Sequence, residues 1–483
     1  MRLPPLCQKP QKKIKNPLIK RIPRELLGDW KKYLVVALFL ILTIGFVSGM
    51  YVANESMLFA ADEGVTKYKL EDGHFELNKK ADEELITAIE TGTKADVKQY
   101  YLDKAKKELD EKFDDEAYQE AYDEAWDKIV DEIDDKYADA EEKYELNDPD
   151  FQEVPVHVYE NFFRNEEEDY NNDGEAEGTI RVYAKNDDVN LACLIEGAFP
   201  ENENEIAIDR MHADNVGIKV GDEISVSGQK FQVVGLIAYV NYSTLHEKAT
   251  DLMFDAIKFD VAMVTDAGFD RLHKTVHYSY AWNYVDTPAD EVEQKAKSDD
   301  FMKALLTQVV CDDKELEDYL PRYANPAINF ATDDMGSDKA MGGVLLDILI
   351  VIIAFIFAVT ISNTIAKEAS TIGTLRASGY TKGELIRHYI SMPIIVTLIA
   401  ACVGNILGYT LFKNVVVGMY YNSYSLPTYE TIWNPDAFFK TTIIPAAYRV
   451  PECFKLSDFV CWNLVYRDYA CHGSWYAGDA RLL

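Results

Sequence analysis

No phosphate loop of the form GxxxxGK[S/T] occurs in the 483 residues, so the chain carries no Walker-type cradle for ATP. HExxH and GxSxG are missing as well, which excludes a zinc-protease helix and a hydrolase nucleophile elbow. No catalytic residue and no metal-ligand set is therefore expected, and the chain reads as a non-enzyme. Histidine is scarce. His212, His246, His273 and His277 are scattered along one segment, and His273 and His277 stand four apart with no third ligand nearby in sequence. Surface histidines are the default expectation. Basic side chains are the minority charge, 49 Lys and Arg against 82 Asp and Glu, for a formal net charge of −33. Nucleic acid, whose phosphates require a basic surface, is excluded as a partner. The seven cysteines show no paired CxxC spacing and no disulfide framework. Cys193 and Cys311 share one acidic insert, where a bridge could form if the geometry allowed; Cys7 and Cys402 lie where bridging is unfavoured.

What the chain does have is three long apolar runs without a charge: Tyr33–Ala53 (21 residues), Ile348–Ala366 (19) and Tyr389–Phe412 (24). A helix rises ~1.5 Å per residue, so each run can cross a hydrocarbon core of ~30 Å. The first run exceeds the roughly 7–15 apolar residues of a signal peptide, and no small-x-small site follows it, so it reads as an uncleaved span. Residues 1–32 hold ten Lys and Arg against Glu25 and Asp29, whereas residues 54–340 hold 71 acidic and 29 basic side chains. Basic flanks stay inside. The 1–32 arm is accordingly cytoplasmic and the 54–340 insert extracytoplasmic, in a multi-pass protein of the cell membrane. Spans are expected at 33–53, 344–366 and 389–412, with an extracytoplasmic loop at 413–436. Asp347 lies one turn inside the second span and reads as an interface carboxylate that reaches water. Gly404 and Gly408 form a small-xxx-small pair suited to close helix packing, with no partner helix evident in sequence.

The segment 367–388 joins the second and third spans on the cytoplasmic side. Gly379 suits the left-handed turn that ends a helix. Thr381-Lys382-Gly383-Glu384 then reads as a capping box that opens the next one. The order span, Lys367-Glu368, Ile372-Gly373-x-Leu375-Arg376-Ala377-x-Gly379, polar turn, span resembles the FtsX/MacB-type permease family (FtsX-like permeases) of ABC transporters. The resemblance covers 33–53 and about 154–445, and 367–384 is its most specific part. It implies an integral membrane α-helical protein with a large extracytoplasmic α+β domain, a helical arm and a MacB-like β-rich core.

By the same resemblance, the chain is the permease subunit of an ABC transporter. ATP is bound by a separate ATPase dimer, and hydrolysis moves the extracytoplasmic domain for export or extraction of a peptide, lipid or lipoprotein-like substrate. The ATPase-coupling residues it implies are Glu368, Ile372, Gly373, Leu375, Arg376, Ala377, Gly379, Thr381 and Glu384. It also implies a second permease half or a second copy of the chain. An alternative keeps the topology without transport: a mechanotransmitter or sensor that regulates a cell-wall enzyme or another extracytoplasmic protein partner. A third is a membrane-anchored binding protein with no ATPase.

Within the insert, 80–146 is acidic, and Pro and Gly are absent from Thr93 to Asn147. Leu109, Phe113, Tyr122, Trp126, Ile129, Ile133, Tyr137 and Tyr144 recur mostly at three- or four-residue spacing, which predicts a helical hairpin or coiled-coil arm. Residues 154–285 look β-rich. Asn204–Ile208 and Phe231–Gly235 read as strands, with Gly221-Asp222 supplying the tight turn between them. Asp169–Gly174 matches the first half of an EF-hand loop, but position 12 would be Ile180 where a bidentate Glu is needed, so it reads as an Asx-rich turn. A fourth span begins at 437–447 and is cut short by Tyr448–Glu452. The tail 448–483 changes character, and a reading-frame disruption near 447, in an N-terminal half of a longer permease, is the expectation. Cys453, Cys461, Cys471 and His472 lack metal-site spacing.

Overall fold

The computed structural model describes residues 18, 21–28, 30–112, 119–144 and 146–443. Phe113, the tail 448–483 and the end of the expected fourth span lie outside these. In chain order the helices are α1 (Ile22–Gly28), α2 (Trp30–Lys67), α3 (Glu83–Glu90), α4 (Val97–Lys112), α5 (Gln119–Tyr144), α6 (Arg210–Val216), α7 (Asp266–Asp270), α8 (Glu291–Cys311), α9 (Pro326–Lys367), α10 (Ala369–Ala377), α11 (Lys382–Leu407), α12 (Lys413–Ser423) and α13 (Pro435–Phe438). The strands are β1 (Gly73–Leu77), β2 (Val156–Glu160), β3 (Phe163–Asp169), β4 (Gly178–Ala184), β5 (Ala192–Gly197), β6 (Glu205–Asp209), β7 (Glu223–Val226), β8 (Gln229–Tyr239), β9 (Phe259–Val264), β10 (Tyr278–Tyr284) and β11 (Leu316–Pro321). The chain divides into a helical unit (1–57, 336–419, 431–483) and an insert unit (58–335, 420–430).

The insert unit holds two sheets. The first runs β11-β1-β10-β2, and its β1 and β11 lie outside the 154–285 range expected to carry the strands. One face of it is aromatic: Phe75, Tyr280 and Trp282 are fully buried, with Leu85 and Ile89 of α3 and Phe301, Leu305 and Val309 of α8 packed against them. Asp82 caps α3 by accepting from the Leu85 amide, and Asp290 caps α8 from the Glu293 amide. Of the arm, α4 and α5 pack together, joined by Lys98–Asp134 at 2.8 Å and Tyr122–Asp110 at 2.7 Å. Leu109 is buried in this seam, whereas Trp126, Ile133 and Tyr137 are half-buried.

The second sheet runs β5-β8-β6-β9-β4-β3-β7, and β7 pairs again with β8. Six strands thus form a closed hydrogen-bonded circuit, with β5 added outside on β8. Alternation sends one set of side chains inward: Ile180 and Val182, Ile206 and Ile208, Ala262 and Val264, Phe231 and Val233 form one apolar core. The opposite face carries Tyr183, Ala207, Tyr239, Val261 and Met263 in another. Between β6 and β8 the expectation of strand, turn, strand is incomplete. Asp209 caps a short helix, α6, which Gly217 ends at φ +87, and β7 follows Gly221-Asp222. The tight turn into β8 is Ser227-Gly228, both at positive φ, the geometry that matches strand twist in a two-residue hairpin. Cys193 and Cys311 are both free thiols, so the bridge is not formed. At Asp169–Gly174 the Asx turn is present: Asn171 Oδ1 accepts from the Asp173 amide at 2.8 Å, and Asp169 accepts from the Asp173 and Gly174 amides at 3.1 and 3.0 Å.

Among the described helices, Tyr33–Lys67 and Lys382–Ser423 are long and apolar enough to cross a membrane. α2 continues well past the 33–53 run. The expected loop at 413–436 is helical as far as Ser423, because helical bonding passes through a π-turn at Gly408–Phe412 and no proline intervenes before Pro427. Asp347 is exposed.

Candidate coupling site

The connector is shaped by local bonds. α10 ends in a Schellman motif: the Tyr380 amide donates to the Leu375 carbonyl at 3.2 Å and the Gly379 amide to Arg376 at 3.0 Å. Gly379 sits at φ +96, where a Cβ is penalised, although open space surrounds it. Two residues on, Thr381 and Glu384 form the capping box in full, Thr381 N to Glu384 Oε2 at 3.0 Å and Glu384 N to Thr381 Oγ1 at 3.3 Å. No residue of α10 is buried. Gly373, Arg376, Ala377, Gly379 and Thr381 are exposed, and Ile372 and Leu375 are half-exposed apolar groups on a short helix.

Glu368 differs from the rest. Its carboxylate accepts from Tyr389 Oη at 2.6 Å and pairs with Arg21 at 3.6 Å, so it braces the connector against α11 instead of facing outward. Neither Arg21 nor Tyr389 is legible as its partner in the sequence, since both contacts are non-local.

Behind the connector, α2 and α11 meet along glycines. A Cβ at Gly404 would stand 2.9 Å from Ile44 Cγ2, and one at Gly408 would stand 2.8 Å from Ser48 Cβ. Conversely, a Cβ at Gly45 or Gly49 would run into Phe412 at 2.8 or 2.6 Å. Gly45-xxx-Gly49 is therefore the partner of Gly404-xxx-Gly408 that sequence reading missed. Ser48 Oγ donates to Asn405 Oδ1 at 2.8 Å across the same seam, the kind of interhelical bond that apolar surroundings favour.

Within the insert unit a polar cavity of about 330 Å³ lies among Glu71, His74, Arg181, Tyr242 and His277. His74 Nδ1 is 2.6 Å from Glu71 Oε1, and His277 Nδ1 is 2.5 Å from Glu76 Oε1. Burial alone would lower the His74 pKa, but the Glu71 carboxylate outweighs it and holds it raised. Arg181 donates to Tyr242 Oη at 2.8 Å and Asn165 Oδ1 at 2.9 Å, with its guanidinium over the Phe163 ring. The surface placement expected of the histidines fails for His212 and His246, which are buried; His277 is half-buried and His273 alone is exposed. Strand pairing and apolar neighbours, which no local pattern announces, draw them in.

Residues 343–444 match the family model described as FtsX-like permease C-terminal. Two solved structures are similar in part. The periplasmic region of MacB from Actinobacillus actinomycetemcomitans is 11% identical, over 36% of this chain and 75% of that one, with a TM-score of 0.21. The extracellular domain of the noncanonic ABC-type transporter YknZ from Gram-positive bacteria is 12% identical, over 37% and 88%, with a TM-score of 0.20. No curated protein matches the chain. Residues 343–444, which contain the whole connector, are thus similar to the FtsX-like permease C-terminal domain.

Proposed function

We propose that this chain is the membrane subunit of an ABC transporter whose connector, 367–388, is the handle of a separate ATPase dimer. One observation carries the reading: a short helix with no buried residue, stopped by a Schellman turn and followed by a capping box, within the family-matched segment. Such a helix gains little from its own unit and offers Ile372, Leu375 and Arg376 to a soluble partner. α9 is one helix from Pro326 to Lys367, so a displacement at the connector has an unbroken element to act on. A switch of this kind requires contacts that differ between the ATPase states. Glu368, held by Tyr389 and Arg21, keeps the connector in register with α11 while Arg376 and its neighbours engage the partner. The acidic insert is then the moving part on the opposite side, acting on a peptide, lipid or lipoprotein-like substrate, with a second permease half completing the transporter.

The test uses the full chain reconstituted with its co-purifying ATPase. Arg376→Glu and Gly379→Pro are expected to abolish stimulation of ATP hydrolysis while leaving membrane insertion intact. Normal coupled activity in both variants would overturn the assignment.

A further inference from the structure

Inside the six-strand circuit, among the apolar side chains, three ionisable groups converge with no hydrogen bond joining them. Glu168 is on β3, His212 on α6 and Asp260 on β9, and each is fully buried. Their candidate ligand atoms all lie within 4.8 Å of one another. We propose that Glu168, His212 and Asp260 hold a divalent metal ion of the zinc type.

The hydrogen bonds around the three leave one set of lone pairs facing inward. Asp260 Oδ1 accepts from the Val261 amide at 2.7 Å and the Asp209 amide at 3.2 Å, while its Oδ2 meets no donor. His212 Nδ1 stands 2.9 Å from the Ala256 carbonyl oxygen. A carbonyl only accepts, so Nδ1 carries the proton and, in the neutral ring, Nε2 presents its lone pair. This is the orientation that a backbone carbonyl imposes on metal-bound histidines. Nε2 lies 3.4 Å from Glu168 Oε2 without hydrogen-bond geometry, and both Glu168 oxygens lack a donor. Glu166 faces the same side of β3 two residues earlier; its Oε1 accepts from the Lys274 amide at 3.1 Å and its Oε2 is likewise unpartnered.

Acceptors crowded in an apolar interior are costly unless a cation lies among them. An imidazole nitrogen with two carboxylates is a donor set that zinc takes at ~2.0–2.2 Å. Calcium and magnesium favour all-oxygen shells, which the imidazole breaks. Placed there, the ion ties β3, α6 and β9 together, three elements far apart in sequence. It also fixes the first turn of α6, whose cap, Asp209, accepts from Ser425 Oγ at 2.5 Å. The competing occupant is a proton, carried by a carboxylate or by His212 Nε2 beside Glu168.

The experiment takes the full chain in detergent micelles, strips it with chelator, loads it with Zn²⁺ and removes the excess. The wild type should retain about one equivalent of zinc, and its insert should melt at a higher temperature with the ion than without. Glu168→Gln and Asp260→Asn should each lose the ion. Asp173→Ala, in the exposed acidic turn, should keep it. Co²⁺ in place of zinc should give visible bands of a protein-ligated ion, a readout in the wild type that stands even if the variants fail to fold. Zero retention with a hydrated-cobalt spectrum would mean that a proton fills the site and would overturn the proposal. So would retention in Glu168→Gln and Asp260→Asn, or loss in Asp173→Ala alone.

Discussion

In the connector, the bonds that fix the backbone join residues no more than five apart: Tyr380 to Leu375, Gly379 to Arg376, Thr381 to Glu384. In the insert, the Trp282 indole stacks on Tyr319 at 4.9 Å, packs on Phe301 and neighbours Phe75, residues drawn from four separate stretches of chain. The first segment keeps its shape with most of its side chains exposed; the second has a shape only because distant pieces bury one another. A local motif can present a surface to a partner without disturbing the fold behind it, whereas a buried aromatic cluster cannot be altered without loss of the domain. This difference suits the partner contact proposed for the connector and gives rigidity to the insert.

Substitutions can break or sharpen that contrast. The largest effect is expected from Trp282→Ala, which empties the aromatic core at a cost of ~3–5 kcal/mol and should render the insert protease-sensitive while the ATPase binding proposed for the connector is retained. Gly404→Leu comes next. Its side chain meets Ile44 and the Ile41 carbonyl, so overpacking of about 1–3 kcal/mol should separate α2 from α11, read as lost cysteine cross-linking between them. Gly379→Ala adds a Cβ at φ +96 for about 1–2 kcal/mol, and should weaken ATPase stimulation with the melting of the insert unchanged. Thr381→Ala removes half of the capping box, ~1 kcal/mol, with a smaller loss of stimulation.

The smallest effect is a pH dependence confined to the insert. The His74 pKa is raised in the folded state, so its pairing with Glu71 stabilises fully below the unfolded value of about 6.5 and is lost as pH rises through the folded value. Melting followed from pH 6 upward should show that decline, and Glu71→Gln should flatten it.

Legibility in the sequence follows the same contrast. The stop at Gly379, the short helix it ends and the capping box after it were readable because each depends on neighbours within a turn or two. Helical periodicity in α4 and α5 was readable for the same reason. The partner of Gly404-xxx-Gly408 was not, although Gly45-xxx-Gly49 has the same spacing, because nothing in either motif names the other. β1 and β11, paired neighbours in one sheet, were missed since strands so far apart in the chain share no local signal. Nor did any pattern announce Glu168, His212 and Asp260. Four successive acidic residues on β3 look like a solvated run until alternation turns two of them inward. Glu368 was legible as part of the motif, yet its engagement with Tyr389 and Arg21 was not.

The central claim is that the connector and the acidic insert face opposite sides of the membrane. The direct measurement is labelling of single cysteines, Ser378→Cys in the connector and Asn202→Cys in the insert, in a cysteine-free chain in sealed cells, with an impermeant maleimide. Both positions are exposed in their own units. The account predicts that Asn202→Cys reacts in intact cells and Ser378→Cys reacts only after permeabilisation. Equal reaction of the two in intact cells would contradict it.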